Sequence, residues 1–244
     1  MSTVIATSVL PDSTANDTLT IGATGDSVVI GGNLLTMNTL QDAGGNTFFV
    51  SNGSGVITSS GFGGATRLIL TSSVSNGASI SFTSGIDSTY DIYIFRYGDL
   101  NPVTDAADFS FQASTDGGSS YGVTMTTTFF HAMHTENNDY TNLSYVEAAD
   151  LAQSTNYQTI GRSLSNDADA AGVGELYLYA PSSTTYVKQF YATVNGSYVG
   201  LGPATEECFI GGYFNTTSAI NAINFKCSSG NFDGTISLYG ISKS

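Results

Sequence analysis

The stretch Tyr90-Asp-Ile-Tyr-Ile-Phe-Arg-Tyr97 places Tyr93, Phe95 and Tyr97 at every second position. Successive side chains of a β-strand point to opposite faces, so this spacing predicts a strand with one aromatic, core-facing side. The same period recurs on both sides of the stretch and predicts about ten or eleven short strands in all. The further segments are Arg67–Leu70, Ala78–Phe82, Asp108–Gln112, Tyr121–Met125, Tyr157–Ile160, Glu175–Tyr179, Tyr186–Val194, Cys208–Ile210, Ile220–Phe225 and Thr235–Ile241.

Many short strands separated by turn residues are typical of an antiparallel sandwich. We therefore predict an all-β fold, with a jelly-roll-like sandwich over residues 67–244. Only Ser144–Gln153 has the pattern of a helical turn.

The composition changes near Gly61–Arg67. Residues 1–66 contain no Lys, Arg, His or Tyr, whereas all 14 tyrosines of the chain lie between Tyr90 and Tyr239. We predict two domains, an N-terminal arm over residues 1–66 and the sandwich over residues 67–244.

The arm contains short strand candidates closed by glycine turns. They are Thr18–Gly22, Ser27–Gly31, Leu34–Leu40, Phe48–Val50 and Val56–Ile57. Strands this short bury little apolar area against an ordering cost of ~1–2 kcal/mol per residue. We expect them to wind around identical arms of other subunits, most simply in a trimer. The alternative is a flexible linker, which the recurring Val-Ile and Leu-Ile pairs do not favour.

The charge balance excludes several classes of partner. Six Lys and Arg stand against 20 Asp and Glu, a net charge of −14. Nucleic-acid binding needs a basic surface, and anionic membranes attract one, so we expect neither partner. The N-terminus has no basic, apolar leader, and no stretch approaches the ~18 apolar residues of a membrane span, so we expect neither a targeting segment nor a membrane anchor.

One local motif is specific. Ser114-Thr-Asp116-Gly-Gly-Ser-Ser-Tyr121 is similar to the Asp-box of sialidase-like β-hairpins, Ser-x-Asp-x-Gly-x-x-aromatic. In that motif the aspartate bonds backbone amides and the aromatic ring packs beneath the turn. We predict a structural hairpin at this point, with no catalytic role.

Two segments contain candidate metal ligands. His131 and His134 form the only histidine cluster, with Glu136 close by, but the flanking pattern is that of a strand and sends the two histidines to opposite faces. A metal shared on a symmetry axis is the alternative. Asn166–Asp169, with Gly172, offers oxygen ligands for Ca²⁺ but lacks the spacing of an EF-hand loop, so we predict an exposed turn. We predict no metal site and no cofactor.

Catalytic signatures are sparse. Isolated carboxylates that could conceal a glycosidase pair are Asp87, Asp91, Glu147, Asp150 and Glu175. No two of them are brought together by the sequence, and we predict no catalytic residues. Cys208 and Cys227 fall in phase with Ile210 and Phe225, which favours small core residues over a disulfide.

Several segments of the chain resemble structural proteins of tailed bacteriophages, abundant in marine phages, which pair a short β-repeat arm with a C-terminal β-sandwich. They are Gly31–Gly64, Ala78–Phe95, Phe109–Gly118, Gly212–Phe225 and Ile236–Ile241. The resemblance implies a trimeric virion fibre or spike, fixed by its N-terminus and with an exposed globule.

We therefore expect a tail fibre or spike that binds a host surface glycan or protein. The alternatives are a head fibre or capsid decoration protein and, third, a polysaccharide-depolymerising enzyme. No receptor-binding residue is singled out by the sequence.

Overall fold

The computed structural model describes residues 39–41, 47–51, 57–58 and 66–241. The chain divides into two compact units, residues 1–62 and residues 63–244, close to the change in composition. Within the described residues all regular structure is β-strand apart from one 3-10 helical turn, and no helix there is long and apolar enough to cross a membrane.

The described residues of the first unit form three short antiparallel strands. They are β1 (Thr39–Gln41), β2 (Thr47–Ser51) and β3 (Ile57–Thr58), paired in that order within one chain. Strand β2 confirms the strand predicted at Phe48–Val50, and β1 overlaps the end of the one predicted at Leu34–Leu40, whose first five residues lie outside the described ones. The candidates Thr18–Gly22 and Ser27–Gly31 lie outside the described residues, and intertwining with other subunits stays a prediction.

The second unit is a twelve-stranded antiparallel sheet that folds back on itself. Its strands are β4 (Thr66–Gly77), β5 (Ile80–Phe82), β6 (Ile92–Pro102), β7 (Ala107–Ser114), β8 (Met125–Thr135), β9 (Thr141–Tyr145), β10 (Gln158–Leu164), β11 (Gly172–Tyr179), β12 (Lys188–Tyr198), β13 (Ala204–Phe214), β14 (Ala222–Cys227) and β15 (Phe232–Ile241).

The sheet has a long half and a short half. The long half runs β4-β15-β6-β11-β12-β13-β8-β9, and the short half runs β5-β14-β7-β10. The halves are joined where β10 pairs with β12, at Leu164 and Tyr198. The predicted all-β, jelly-roll-like sandwich is confirmed.

An aromatic core fills the space between the halves. Phe225 of β14 lies at its centre, with its ring 5.4 Å from that of Phe95 and 5.9 Å from that of Phe109. Phe111 of β7 meets Phe190 of β12 at 5.1 Å. The alternation first noted in residues 90–97 supplies Phe95, since alternate residues of a strand face the same side.

The strand predictions made from the sequence were wrong at two places. Tyr121–Thr124 is not a strand, because Tyr121 turns beneath the preceding turn and β8 starts only at Met125, where Ser154 provides a backbone partner. Strand β9 was not predicted, because its apolar residues Leu143 and Tyr145 face solvent and not the core. The helical turn predicted within Ser144–Gln153 is present as a 3-10 turn at Glu147–Ala149.

Candidate functional site

The outer face of the long half carries a cluster of tyrosines. Tyr177 and Tyr179 project from β11 and Tyr191 from β12, because alternate residues of these strands face away from the core. The rings of Tyr177 and Tyr191 stack with centroids 4.6 Å apart and planes 15° apart, and Tyr179 lies 6.0 Å from Tyr191. Tyr191 remains 42% exposed. We call these three residues the tyrosine stack.

Charged groups border the tyrosine stack. Arg96 Nε lies 3.5 Å from Glu175 Oε2, and the Arg96 guanidinium sits 5.3 Å from the ring centre of Tyr239. Ile94 lies between its register partners Tyr177 and Tyr239 and is only 2% exposed on this outer face. The stack is therefore a partly exposed aromatic patch with polar groups at its margin.

Burial raises the pKa of Tyr177 and Tyr191, the latter strongly, and the neighbouring Glu175 and Tyr179 add to these effects. The hydroxyl groups of Tyr177 and Tyr191 can therefore both donate and accept a hydrogen bond at neutral pH.

A second aromatic pair lies farther along the same face. Phe130 of β8 and Phe209 of β13 are register partners and stack with centroids 4.9 Å apart. Phe130 is 42% exposed, and its other register partner, Tyr145 of β9, is also exposed.

The inner face of β8, β9 and β13 carries a polar cluster that the sequence did not indicate. His131 Nδ1 contacts Glu206 Oε1, and His131 Nε2 lies 3.0 Å from Ser144 Oγ. Arg162 of β10 places Nη1 3.2 Å from the same Glu206 oxygen. Asn142 Nδ2 lies 2.9 Å from Ser144 Oγ. We call Ser144, His131, Glu206, Arg162 and Asn142 the histidine cluster.

The predicted opposition of the two histidines is confirmed. His131 is buried, whereas His134 is exposed and contacts Asn138 Oδ1 at 3.0 Å. Glu136 is exposed beyond the end of β8. Over the described part of the chain, no three His, Cys, Asp or Glu side chains are placed to hold a metal ion.

The segment Asn166–Asp169 is the exposed turn that was predicted. Asp167 accepts a hydrogen bond from Ser165 Oγ at 3.0 Å, and Asn166 bonds the loop before β7 through Val103 O. The segment thus ties two loops together.

The Asp-box turn forms, but its hairpin does not. Asp116 Oδ1 accepts from Ser120 N at 3.0 Å, Ser114 Oγ accepts from Gly118 N at 3.0 Å, and Gly122 N donates to Ala113 O. Strand β7 then pairs with β10 and β14, so no second strand returns along it.

The same segment has the nucleophile-elbow spacing Gly118-x-Ser120-x-Gly122. Ser120 Oγ donates to Asp116 Oδ2 at 2.6 Å, which gives this serine a structural partner.

Three of the isolated carboxylates have separate partners. Asp87 accepts from Tyr93, Asp150 from Tyr145, and Glu175 pairs with Arg96. Glu147 lies in the 3-10 turn. Cys208 and Cys227 are buried free thiols, as their phase predicted, and no disulfide joins them.

Comparison with known proteins gives no relative. No family model, no curated protein sequence and no solved structure matches the chain.

Proposed function

We propose that the chain is a bacteriophage virion protein, a trimeric tail fibre or spike that binds a host surface glycan through the outer face of its sandwich. The tyrosine stack is the observation that carries the glycan part. Sugar rings present C–H faces that pack on aromatic rings, while their hydroxyl groups need fixed polar partners nearby. Tyr191 supplies the exposed ring, and Arg96 and Glu175 supply the polar margin.

The net charge favours a neutral glycan as the ligand. At −14 the protein repels polyanions, and Arg96 is already paired with Glu175. An uncharged hexose polymer can bind the stack without electrostatic repulsion, whereas an acidic polysaccharide is repelled.

The virion part of the proposal rests on the chain's composition and on its resemblance to phage structural proteins. In this proposal residues 1–66 anchor the protein to the particle and trimerise it, and the protein is located in the virion. A cryo-EM map of a virion that carries it would show the copy number and position. Density at the tail would support the proposal, and density on the capsid shell would favour the head fibre or decoration protein.

Glycan binding is tested with paired tyrosine variants of the full chain. We expect neutral glycans on an array to bind the wild type, and Tyr191→Ala to weaken that binding about three- to tenfold, the value of one aromatic contact. Tyr140→Ala is the matched control, since Tyr140 has nearly the same exposure, 41%, and lies in the β8–β9 turn. Equal losses in both variants would contradict a role for the stack.

A further inference from the structure

The contacts around His131 have the geometry of a nucleophile, a base and an orienting acid. We propose that Ser144, His131 and Glu206 form a hydrolytic triad that cleaves carboxylic esters. This proposal does not depend on glycan binding, because it uses the inner face of β8, β9 and β13 and not the tyrosine stack.

The hydrogen-bond directions follow from the chemistry of the partners. A carboxylate only accepts, so the contact with Glu206 Oε1 assigns the imidazole proton to His131 Nδ1. Nε2 then carries the lone pair and accepts from Ser144 Oγ at 3.0 Å, with Asn142 Nδ2 at a longer 3.3 Å. This is the arrangement in which a histidine removes a serine proton while an acid fixes its tautomer.

Glu206 and His131 are more deeply buried than the reacting serine, Ser144. The side chains of Glu206 and His131 are 2% and 7% exposed, whereas Ser144 is only half-buried. Arg162 Nη1 donates to Glu206 Oε1 and offsets its charge. The acid and base are thus held in a low-dielectric environment, where electrostatic interactions are strong, and the serine is less deeply buried than either.

Glu206 is not fully satisfied by its neighbours. Its Oε2 atom is buried without a hydrogen-bond partner among the described residues. A buried acceptor without a partner costs about 1–3 kcal/mol, so a purely structural cluster would be expected to pair it. Retention of this acceptor fits a group whose charge stabilises an imidazolium during reaction.

Strand β9 presents donors beside the nucleophile. Asn142 and Ser144 share one face of the strand, and Asn142 Nδ2 lies 2.9 Å from Ser144 Oγ. Val146 N donates to Phe129 O, and amides alternate along an antiparallel ladder, so the N–H of Tyr145 points away from β8. Asn142 Nδ2 is already engaged, since it also lies 3.3 Å from His131 Nε2, so the N–H of Tyr145 is the donor available to a developing oxyanion.

The reaction needs only water as co-substrate. Ser144 Oγ bonds to the ester carbonyl carbon as its proton passes to His131 Nε2. The carbon–oxygen bond to the alcohol breaks, and the leaving alkoxide takes that proton. Water, deprotonated by Nε2, then attacks the acyl-serine, and the proton returns to Ser144 Oγ as the carboxylic acid leaves.

Labelling of the wild-type full chain tests the site without any mutation. We expect a fluorophosphonate probe to modify Ser144, identified by peptide mass spectrometry, and p-nitrophenyl acetate to be hydrolysed above the buffer rate. Ser144→Ala should lose both signals. Ser72→Ala is the matched control and should keep them, since Ser72 is a half-buried serine on the opposite edge strand, β4.

Variants of the other two residues separate catalysis from positioning. His131→Gln should lower the hydrolysis rate about 10²–10⁴-fold, the usual contribution of a general base. Glu206→Gln should lower kcat and leave KM unchanged, because Glu206 acts through the imidazole and does not touch the ester. Absence of probe on Ser144, or hydrolysis that survives Ser144→Ala, would overturn the proposal and leave the cluster a structural one.

Discussion

At the scale of single residues, Asp116 shows how hydrogen bonds set a pKa and stabilise a turn. Hydrogen bonds from Ser114 and Ser120 lower the pKa of its carboxyl group from 3.8 to about 2. The folded state therefore stabilises the charged carboxylate of Asp116, which the unfolded chain does not. This contribution to stability is fully present above pH 3.8 and is lost as the pH falls through about 2.

We expect Asp116→Ala to lower the melting temperature by about 2–4 °C at pH 6. The difference from the wild type should shrink as the pH is lowered below 3.8 and vanish near pH 2. Asp169→Ala is the control, because Asp169 is equally exposed and the structure describes no such turn contacts for it. Calorimetry across pH measures both, and a pH-independent difference would show that the carboxylate is not the cause.

The sequence was most informative about residues whose partners are close along the chain. The Asp-box links residues two to four positions apart, and the phases of Cys208 and Cys227 follow from alternation within one strand. The histidine cluster could not be found this way, because His131 meets Glu206 across 75 positions. A lone serine in Asn142-Leu-Ser144-Tyr carries no motif, and only the pairing of β8 with β9 and β13 brings these side chains together.

At the scale of elements, the close approach of β11 and β12 depends on one glycine. A Cβ atom on Gly174 would lie 2.1 Å from Thr193 O, a backbone atom that cannot move without breaking the ladder. The two strands carry the tyrosine stack on their outer face. Their spacing therefore positions both the core and the candidate binding surface.

We expect Gly174→Ala to destabilise the sandwich by more than about 3 kcal/mol, beyond the range of ordinary substitutions. Gly98→Ala is the matched control, since Gly98 lies within the neighbouring strand β6, next to Tyr97, the register partner of Gly174, and an added Cβ meets nothing within 4 Å. Urea unfolding followed by circular dichroism measures the two free energies. If both variants unfold at the same urea concentration, β11 and β12 have room that the structure does not show.

Strand existence was predicted better than strand pairing. The alternating segments of residues 67–244 correspond to strands except at Tyr121–Met125, because inward aromatic residues at every second position are a local signal. The order of strands was not predictable, since β7 pairs with β10 and β14 and not with the next strand along the chain. Strand β9 was not predicted because an edge strand with outward apolar residues lacks the core-facing pattern.

At the scale of the whole molecule, the two compact units differ in how far they can stabilise themselves. Strands β1, β2 and β3 are three, five and two residues long, whereas the second unit has an aromatic core between two sheet halves. Backbone ordering costs ~1–2 kcal/mol per residue, and strands so short offer little apolar area to offset it. Identical neighbouring arms would supply the missing area.

We therefore expect the full chain to have the mass of three 25.4 kDa subunits in mass photometry. A chain beginning at Gly63 should be monomeric and keep the β-sheet circular dichroism signal of the sandwich, because the aromatic core lies wholly within that unit. Substituting Val56 and Ile57 together by serine in the full chain should shift the trimer towards monomer without changing the unfolding of the sandwich. The same double change placed at the exposed Leu68 and Leu70 of β4 is the control and should leave the mass unchanged. A full chain that is monomeric at micromolar concentration, with residues 1–62 resistant to protease, would contradict arm-driven assembly.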